Sequence, residues 1–325
     1  MSQTFHHTLL NGPFGDPCLQ VRIAHEARSL LFDLGDIHFV PPSALNRITD
    51  VFVTHTHVDH FFGFDVLLRA SLRRTFPITL YGPAGITGNV TGKLSGYAWN
   101  LIENYPLQIT VHEFSGRYLT QTVFTAKSRF KREVVARIPS DGLLLKEPAF
   151  TVRAVKLDHG IPCLAFALEE NLRVNIDKAR LLQKGLSVGP WLTSFKKMVR
   201  EGKTGRSILI DGRRYRVGDL TDIVRTEKGQ KICYATDVRI STMNIRRLTA
   251  LAEHSDTLYC EAYFLEKDRK LSLERNHLTA RECGRIAGLA KVGKLVLMHV
   301  SPRYYRREKE LLREAQEAFG STVSY

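Results

Sequence analysis

The stretch Thr54-His55-Thr56-His57-Val58-Asp59-His60 brings three imidazoles and a carboxylate into the six residues 55–60. It follows an apolar run at 50–53 and leads into 59–72, whose apolar side chains recur at helical spacing, so it reads as a loop between a strand and a helix. A tight turn there directs His55 and His57 toward one point and Asp59 and His60 toward a second. Four such donors in one loop have few structural uses beyond holding metal. Imidazole nitrogen and carboxylate oxygen suit zinc, and the same donors accommodate manganese or iron.

Four donors leave two coordination spheres incomplete, so further ligands must come from the ends of other strands. The chain offers three. His159 follows the apolar alternation of 150–157, Asp237 follows 231–235, and His299 follows 294–298. Other strand-length runs occur at 19–23, 29–32, 78–81, 163–168 and 257–260, separated by helical patterns or turn signals, which makes the chain α/β. Thr279-Ala280-Arg281-Glu282 has the form of a capping box opening a helix that runs to Ala290. Residues 303–319 form a charged amphipathic pattern that stops before Gly320.

Several segments narrow the reading. Tyr81-Gly82-Pro83-Ala84-Gly85, Leu157-Asp158-His159-Gly160-Ile161-Pro162, Cys260-Glu261-Ala262, Asn276-His277-Leu278-Thr279-Ala280 and His299-Val300-Ser301-Pro302-Arg303-Tyr304 stand in that order along the chain. With Asn175-Ile176-Asp177-Lys178 and Gly189-Pro190-Trp191, they make the sequence resemble the ribonuclease Z branch of the metallo-β-lactamase superfamily, from about residue 30 to about 307. The His-x-His-x-Asp-His motif specifies only the superfamily. The His-Leu-Thr and Ser-Pro-Arg-Tyr elements are narrower.

The resemblance implies an αββα sandwich of two mixed β-sheets flanked by helices, the metallo-β-lactamase fold, as one domain over 1–325. It implies two zinc ions, one held by His55, His57 and His159, the other by Asp59, His60 and His299, with Asp237 bridging them. Asp33 matches a family aspartate that orients a ligand histidine. Such a pair of metals lowers the pKa of a water and stabilises charge on phosphoryl oxygens, so hydrolysis of a phosphodiester is expected, with Asp59 accepting the water's proton. Glu261 and His277 fit the donor of a proton to the leaving alkoxide, as in the family. Arg303, four residues beyond His299, is placed to reach a substrate phosphate. A homodimer is likewise implied.

Composition agrees with a nucleic-acid partner. In 325 residues, 47 Lys and Arg outnumber 33 Asp and Glu, a net charge of +14. Residues 171–231 alone hold 15 Lys or Arg against six Asp or Glu. Within them, 171–218 reads as a basic inserted arm, the position of the family's tRNA-binding arm, and 115–146 as an irregular insertion carrying Arg129-Phe130-Lys131-Arg132. No apolar run reaches the roughly 18 residues of a membrane span, and no signal peptide is evident, so a cytoplasmic protein is expected. The five cysteines are scattered and form no CxxC pair, which points to free buried thiols.

Three functions compete. The first is an endonuclease trimming the 3′ end of precursor tRNA. The second is a phosphodiesterase of the same fold acting on a small or cyclic nucleotide or another RNA. Residues 10–17, Leu-Asn-Gly-Pro-Phe-Gly-Asp-Pro, favour the second, because ribonuclease Z carries a Gly-Thr-rich loop there. The third is a nucleic-acid-binding protein without activity, which the full ligand set opposes.

Overall fold

Val51, Phe52 and Val53 are all fully buried, which a strand achieves only when both faces of its sheet are covered. The computed structural model describes residues 4–24, 26–171 and 173–325. The chain divides into two compact units, residues 1–144, 153–167 and 231–325 in the first, 145–152 and 168–230 in the second.

In the first unit, one sheet runs in chain order through β1 (Phe5–Leu9), β2 (Leu19–Ile23), β3 (Ser29–Phe32), β4 (Ile48–Phe52), β5 (Ile78–Pro83), β6 (Gln108–Phe114), β7 (Tyr118–Thr125) and β8 (Glu133–Pro139). Its centre, β3 to β6, is parallel, and antiparallel hairpins flank it. The second sheet draws on β9 (Leu143–Lys146), β10 (Phe150–Asp158) and β11 (Pro162–Glu170). Four short strands follow in the chain, β12 (Arg173–Ile176), β13 (Ser207–Ile210), β14 (Arg213–Arg216) and β15 (Val224–Glu227). Then β16 (Lys231–Ala235), β17 (Thr257–Glu261), β18 (Lys294–Met298) and β19 (Val323–Ser324) complete the second sheet in the order β19-β18-β17-β16-β11-β10-β9.

The inner faces of the sheets meet through aromatic rings: Phe32 and Phe52 each lie within 5.8 Å of Phe166, and Phe32 also packs on Tyr234. On the outer faces, Leu67, Val90 and Leu94 close one core, and Leu248, Ile286 and Leu311 the other. This is the expected αββα sandwich, and the parallel strands of both layers turn their C-terminal ends toward the loops that carry the histidines.

Three elements differ in detail from the sequence reading. The helix expected over 59–72 is two, Val58–Phe61 and Phe64–Ser71, because the chain pauses at Gly63. Gly63 N–H donates to the Leu34 carbonyl at 2.8 Å, and a Cβ there would stand 2.4 Å from the Gly35 oxygen, so only glycine fits against the 33–35 turn. The helix expected over 303–319 begins with a single 3-10 turn, Pro302–Tyr304, and becomes α-helical only over Glu308–Phe319, since Arg306 adopts φ 66°. The capping box at Thr279 is half formed: its hydroxyl accepts from the Glu282 N–H, while the Glu282 carboxylate binds Arg269 and Arg285.

Residues 115–146, expected to be irregular, hold β7, β8 and β9. The polar alternation Thr120-Gln121-Thr122 masks a strand whose Leu119, Thr122 and Phe124 point inward. β8 is the edge strand. Its register against β7 shifts between Gln121 and Thr122, which pair with Ala136 and Val134, so Val135 is the extra residue of a bulge.

The second unit contains the basic segment. β12 pairs with β15, β13 with β14, and helices Lys178–Gln183 and Trp191–Arg200 pack with them around Leu181, Phe195, Ile210, Val217 and Ile223. All five cysteines are buried and free. Among the described residues no helix is long and apolar enough to cross a membrane.

Candidate metal centre

The proposed ligands and their support Asp33 lie just beyond strand ends, several of them where the backbone turns sharply. Asp33, Asp237 and His299, just after β3, β16 and β18, have φ of 61°, 56° and 49°. This left-handed conformation is uncommon for residues other than glycine and is found where function holds the chain in place. After β4, Thr54 and His55 continue inward, and His57 is the N-cap residue of the helix Val58–Phe61, which carries Asp59 and His60 on its single turn.

The seven side chains converge. Donor atoms lie within 4.8 Å of one another in four sets: His55, His57 and His159; His55, His60 and Asp237; Asp59, His60 and His299; and Asp237 and His299 together with Glu261 and His277. Asp237 Oδ2 is 2.9 Å from His60 Nε2 and 3.3 Å from His299 Nδ1, and its Oδ1 is 3.4 Å from His159 Nε2. Asp59 Oδ2 stands 3.3 Å from Nε2 of both His60 and His299. Asp237 therefore touches both histidine groups, and Asp59 only one.

Outer partners decide which nitrogens face inward. Asp33 accepts from the Thr54 N–H at 2.7 Å, from the Tyr234 hydroxyl at 3.1 Å and from His60 Nδ1 at 3.0 Å. The Thr54 hydroxyl donates to Asp33, so it accepts from His55 Nδ1, 3.1 Å away. The Asn276 carbonyl holds His159 Nδ1 at 2.9 Å. In each case Nε2 is left for the centre, the arrangement by which outer groups fix a metal-binding tautomer. His55 Nε2 and His60 Nε2 are buried with no hydrogen-bond partner. The Asp237 oxygen near His60 Nε2 lies out of line for a hydrogen bond. Two orphaned imidazole nitrogens beside two carboxylates fit a divalent metal well, since buried polar atoms are otherwise paired.

Without metal, protons and carboxylates share the charge. Burial lowers the His55 pKa to about 2, helped by His60. Burial works against His60 too, but Asp237 and Asp33 hold it protonated well above its ordinary range. For His299, burial is likewise outweighed by Asp237 and Asp59, and its pKa rises to about 9. Burial alone would raise Asp237, yet His299 and His60 hold it well below the usual carboxylate range.

Beside these ligands, buried Glu261 and part-buried His277 pair, Oε2 to Nδ1, at 2.7 Å, with Glu261 Oε2 also 3.8 Å from His299 Nδ1. Glu261 Oε1 accepts from the Val238 N–H at 2.6 Å and the Leu278 N–H at 3.2 Å, tying the pair to the turn that carries Asp237. His277 Nδ1 is 3.4 Å from Asp237 Oδ1, and the Tyr263 ring stacks on His277 at 4.0 Å with planes 10° apart. Arg303 is not drawn into the ligand cluster. It pairs with Asp268 at 3.6 Å, half exposed, over the face of Phe264.

Thr54, Tyr234, Asn276 and Tyr263 escaped the sequence reading. Thr54 and Asn276 lie inside quoted motifs, but the hydroxyl and the carbonyl that act have no signature of their own. Tyr234 and Tyr263 read as core aromatics.

Fold and centre together define a metal-dependent hydrolase of the metallo-β-lactamase fold. In architecture the chain is similar to the metallo-β-lactamase fold protein YhfI of Bacillus subtilis (TM-score 0.57, 16% identity, 98% of this chain and 94% of that one). It is also similar to human tRNase Z, short form (TM-score 0.53, 21% identity, 92% and 93%). In sequence it is 31% identical to the ribonuclease Z of Deinococcus radiodurans over 296 residues, 89% of this chain and 88% of that protein. The chain belongs to the ribonuclease Z family. No family model matches it.

Proposed function

We propose that this chain is a zinc-dependent endoribonuclease that cuts precursor tRNA at its 3′ end. The observation that carries this reading is the Glu261–His277 pair beside a complete ligand set, in a member of the ribonuclease Z family. His55, His57 and His159 would hold one ion, Asp59, His60 and His299 the second, and Asp237 both. Bound there, two divalent ions supply a water of lowered pKa and stabilise charge on the phosphoryl oxygens.

Asp59, partly exposed, accepts the proton of the attacking water. His277, its Nδ1 fixed by Glu261 and its ring by Tyr263, turns Nε2 toward the departing ribose alkoxide and protonates it. The basic second unit binds tRNA phosphates, an affinity that weakens with salt.

A phosphodiesterase with a smaller substrate is the second reading, and the 10–17 loop keeps it in play. The Pro13 carbonyl accepts from the Val300 N–H at 2.8 Å, and Phe14 packs edge-on against Tyr305 at 5.8 Å, so this atypical loop lies against the turn that bears His299.

Zinc-loaded protein is tested on a precursor tRNA with a 3′ trailer and on bis-p-nitrophenyl phosphate, with Asp59→Ala as control. Cleavage at the acceptor-stem boundary, lost in the variant, is the expected result. Hydrolysis of the small diester alone would overturn the tRNA reading in favour of the second.

A further inference from the structure

The segment 115–146 has no part in the chemistry above, yet it forms one wall of a depression in the first unit. Phe114 to Tyr118, Asp141, Ala154 to Lys156 and Arg247 enclose about 430 Å³. At its rim the β6–β7 hairpin turns through Gly116 at φ 95°, and the Lys156 stem lies against it: a Cβ on Gly116 would be 3.5 Å from Lys156 Cδ.

Three cations converge here, Arg117, Lys156 and Arg247, all exposed. Arg247 donates to the Lys156 carbonyl at 2.9 Å, which holds the two side by side. Among the described residues none of the three has a carboxylate within ion-pair distance. The one acid in the wall, Asp141, is taken by Arg153 at 2.7 Å. Crowded like charges around a hollow favour an anion there. An aromatic ring stands beside them: Tyr118 is 40% exposed, and the Arg137 guanidinium lies over it at 4.5 Å. Unpaired cations next to an exposed ring and a planar guanidinium are the elements that grip single-stranded nucleic acid, the cations on phosphates and the planes on bases. Lys156 lies on β10 three residues before His159, which follows the strand's end, roughly 10 Å at the usual strand rise.

We infer that this depression holds the single-stranded RNA trailer that continues past the scissile phosphate. Arg117, Lys156 and Arg247 take successive phosphates and the Tyr118–Arg137 pair takes a base. The inference rests on the ribonuclease reading and deepens it.

The test has two arms. The first measures binding of a labelled, 2′-O-methylated oligouridylate to the zinc-loaded full chain, with and without Arg117→Ala and Lys156→Ala together. Loss of two phosphate contacts lowers the salt slope of binding by roughly two and weakens binding by about tenfold or more at low salt. The charge-keeping pair Arg117→Lys and Lys156→Arg restores it, which excludes misfolding as the cause. Equal affinity in the wild type and the alanine double variant overturns the inference. So does equal binding of a polyglutamate peptide, which would make the hollow a site for an acidic protein.

The second arm compares KM for precursors with short and long trailers. The double variant raises KM only for the long one and leaves hydrolysis of bis-p-nitrophenyl phosphate unchanged. An equal rise for both trailers overturns the inference. If the wild type cuts no precursor tRNA, the function proposed above fails, and the oligouridylate arm still decides the depression.

Discussion

Asp33 touches no substrate, yet its carboxylate determines which nitrogen His60 turns toward the centre. Asp33→Asn removes the charge that orients and polarises that ring, and should lower metal affinity by about 10- to 100-fold, read by competition with a chromogenic chelator. Unchanged affinity would detach Asp33 from the metal. His277→Ala should leave metal content intact and reduce turnover by about 10²- to 10⁴-fold, whereas loss of metal would make His277 a ligand. Protonation gives a third expectation. In the metal-free protein the His299 pKa is raised to about 9. The resulting stability is fully present below the unfolded value, about 6.5, and is lost as the pH rises through the folded one. Thermal unfolding of chelator-treated protein should fall between about pH 7 and 10, and zinc should abolish the fall by replacing the proton; a flat profile without metal would contradict this. The cluster of donor side chains was legible in the sequence because few residue types offer an imidazole nitrogen or a carboxylate oxygen. Their supports were not: a backbone carbonyl at Asn276 or a hydroxyl at Tyr234 carries no mark in the letters.

Elements were legible where burial imposes a period. The strands that precede Asp237 and His299 are apolar runs, and the one before His159 alternates apolar with polar residues, so all three announce themselves, whereas β7, with Thr and Gln on its flank, does not. The helix after the histidine cluster was seen, but its break at Gly63 was not, because the break answers a carbonyl 28 residues earlier, at Gly35. The second unit invites a test at this scale. β12 and β15 pair so that Ile176 stands opposite Val224. A short glycine-containing turn can therefore replace residues 177–223 without parting those strands. Such a protein should lose most of its activity on precursor tRNA while hydrolysing bis-p-nitrophenyl phosphate at an unchanged rate. Equal losses on both substrates would remove the basic unit from substrate docking.

For the whole molecule, two mixed sheets face one another through Phe32, Phe52, Phe166 and Tyr234. One of those residues, Tyr234, also anchors Asp33, so packing and the orientation of the His60 ring share a side chain. The sandwich was readable from the order of strands and ligands. The division into two units was only half readable, since the charge of 171–231 marks its basic stretch while residues 145–152 carry no such label. The bulge at Val135 bears on a different matter, how the molecule behaves when concentrated. β8 closes one sheet with Val134, Val135 and Ile138 each more than half exposed. A straight edge of that composition would template the strand of a neighbouring molecule and grow into fibres. The extra residue throws its amide ladder out of step and Pro139 withholds a donor, so an edge that is oily enough to aggregate is left without the regular hydrogen-bonding row that aggregation needs.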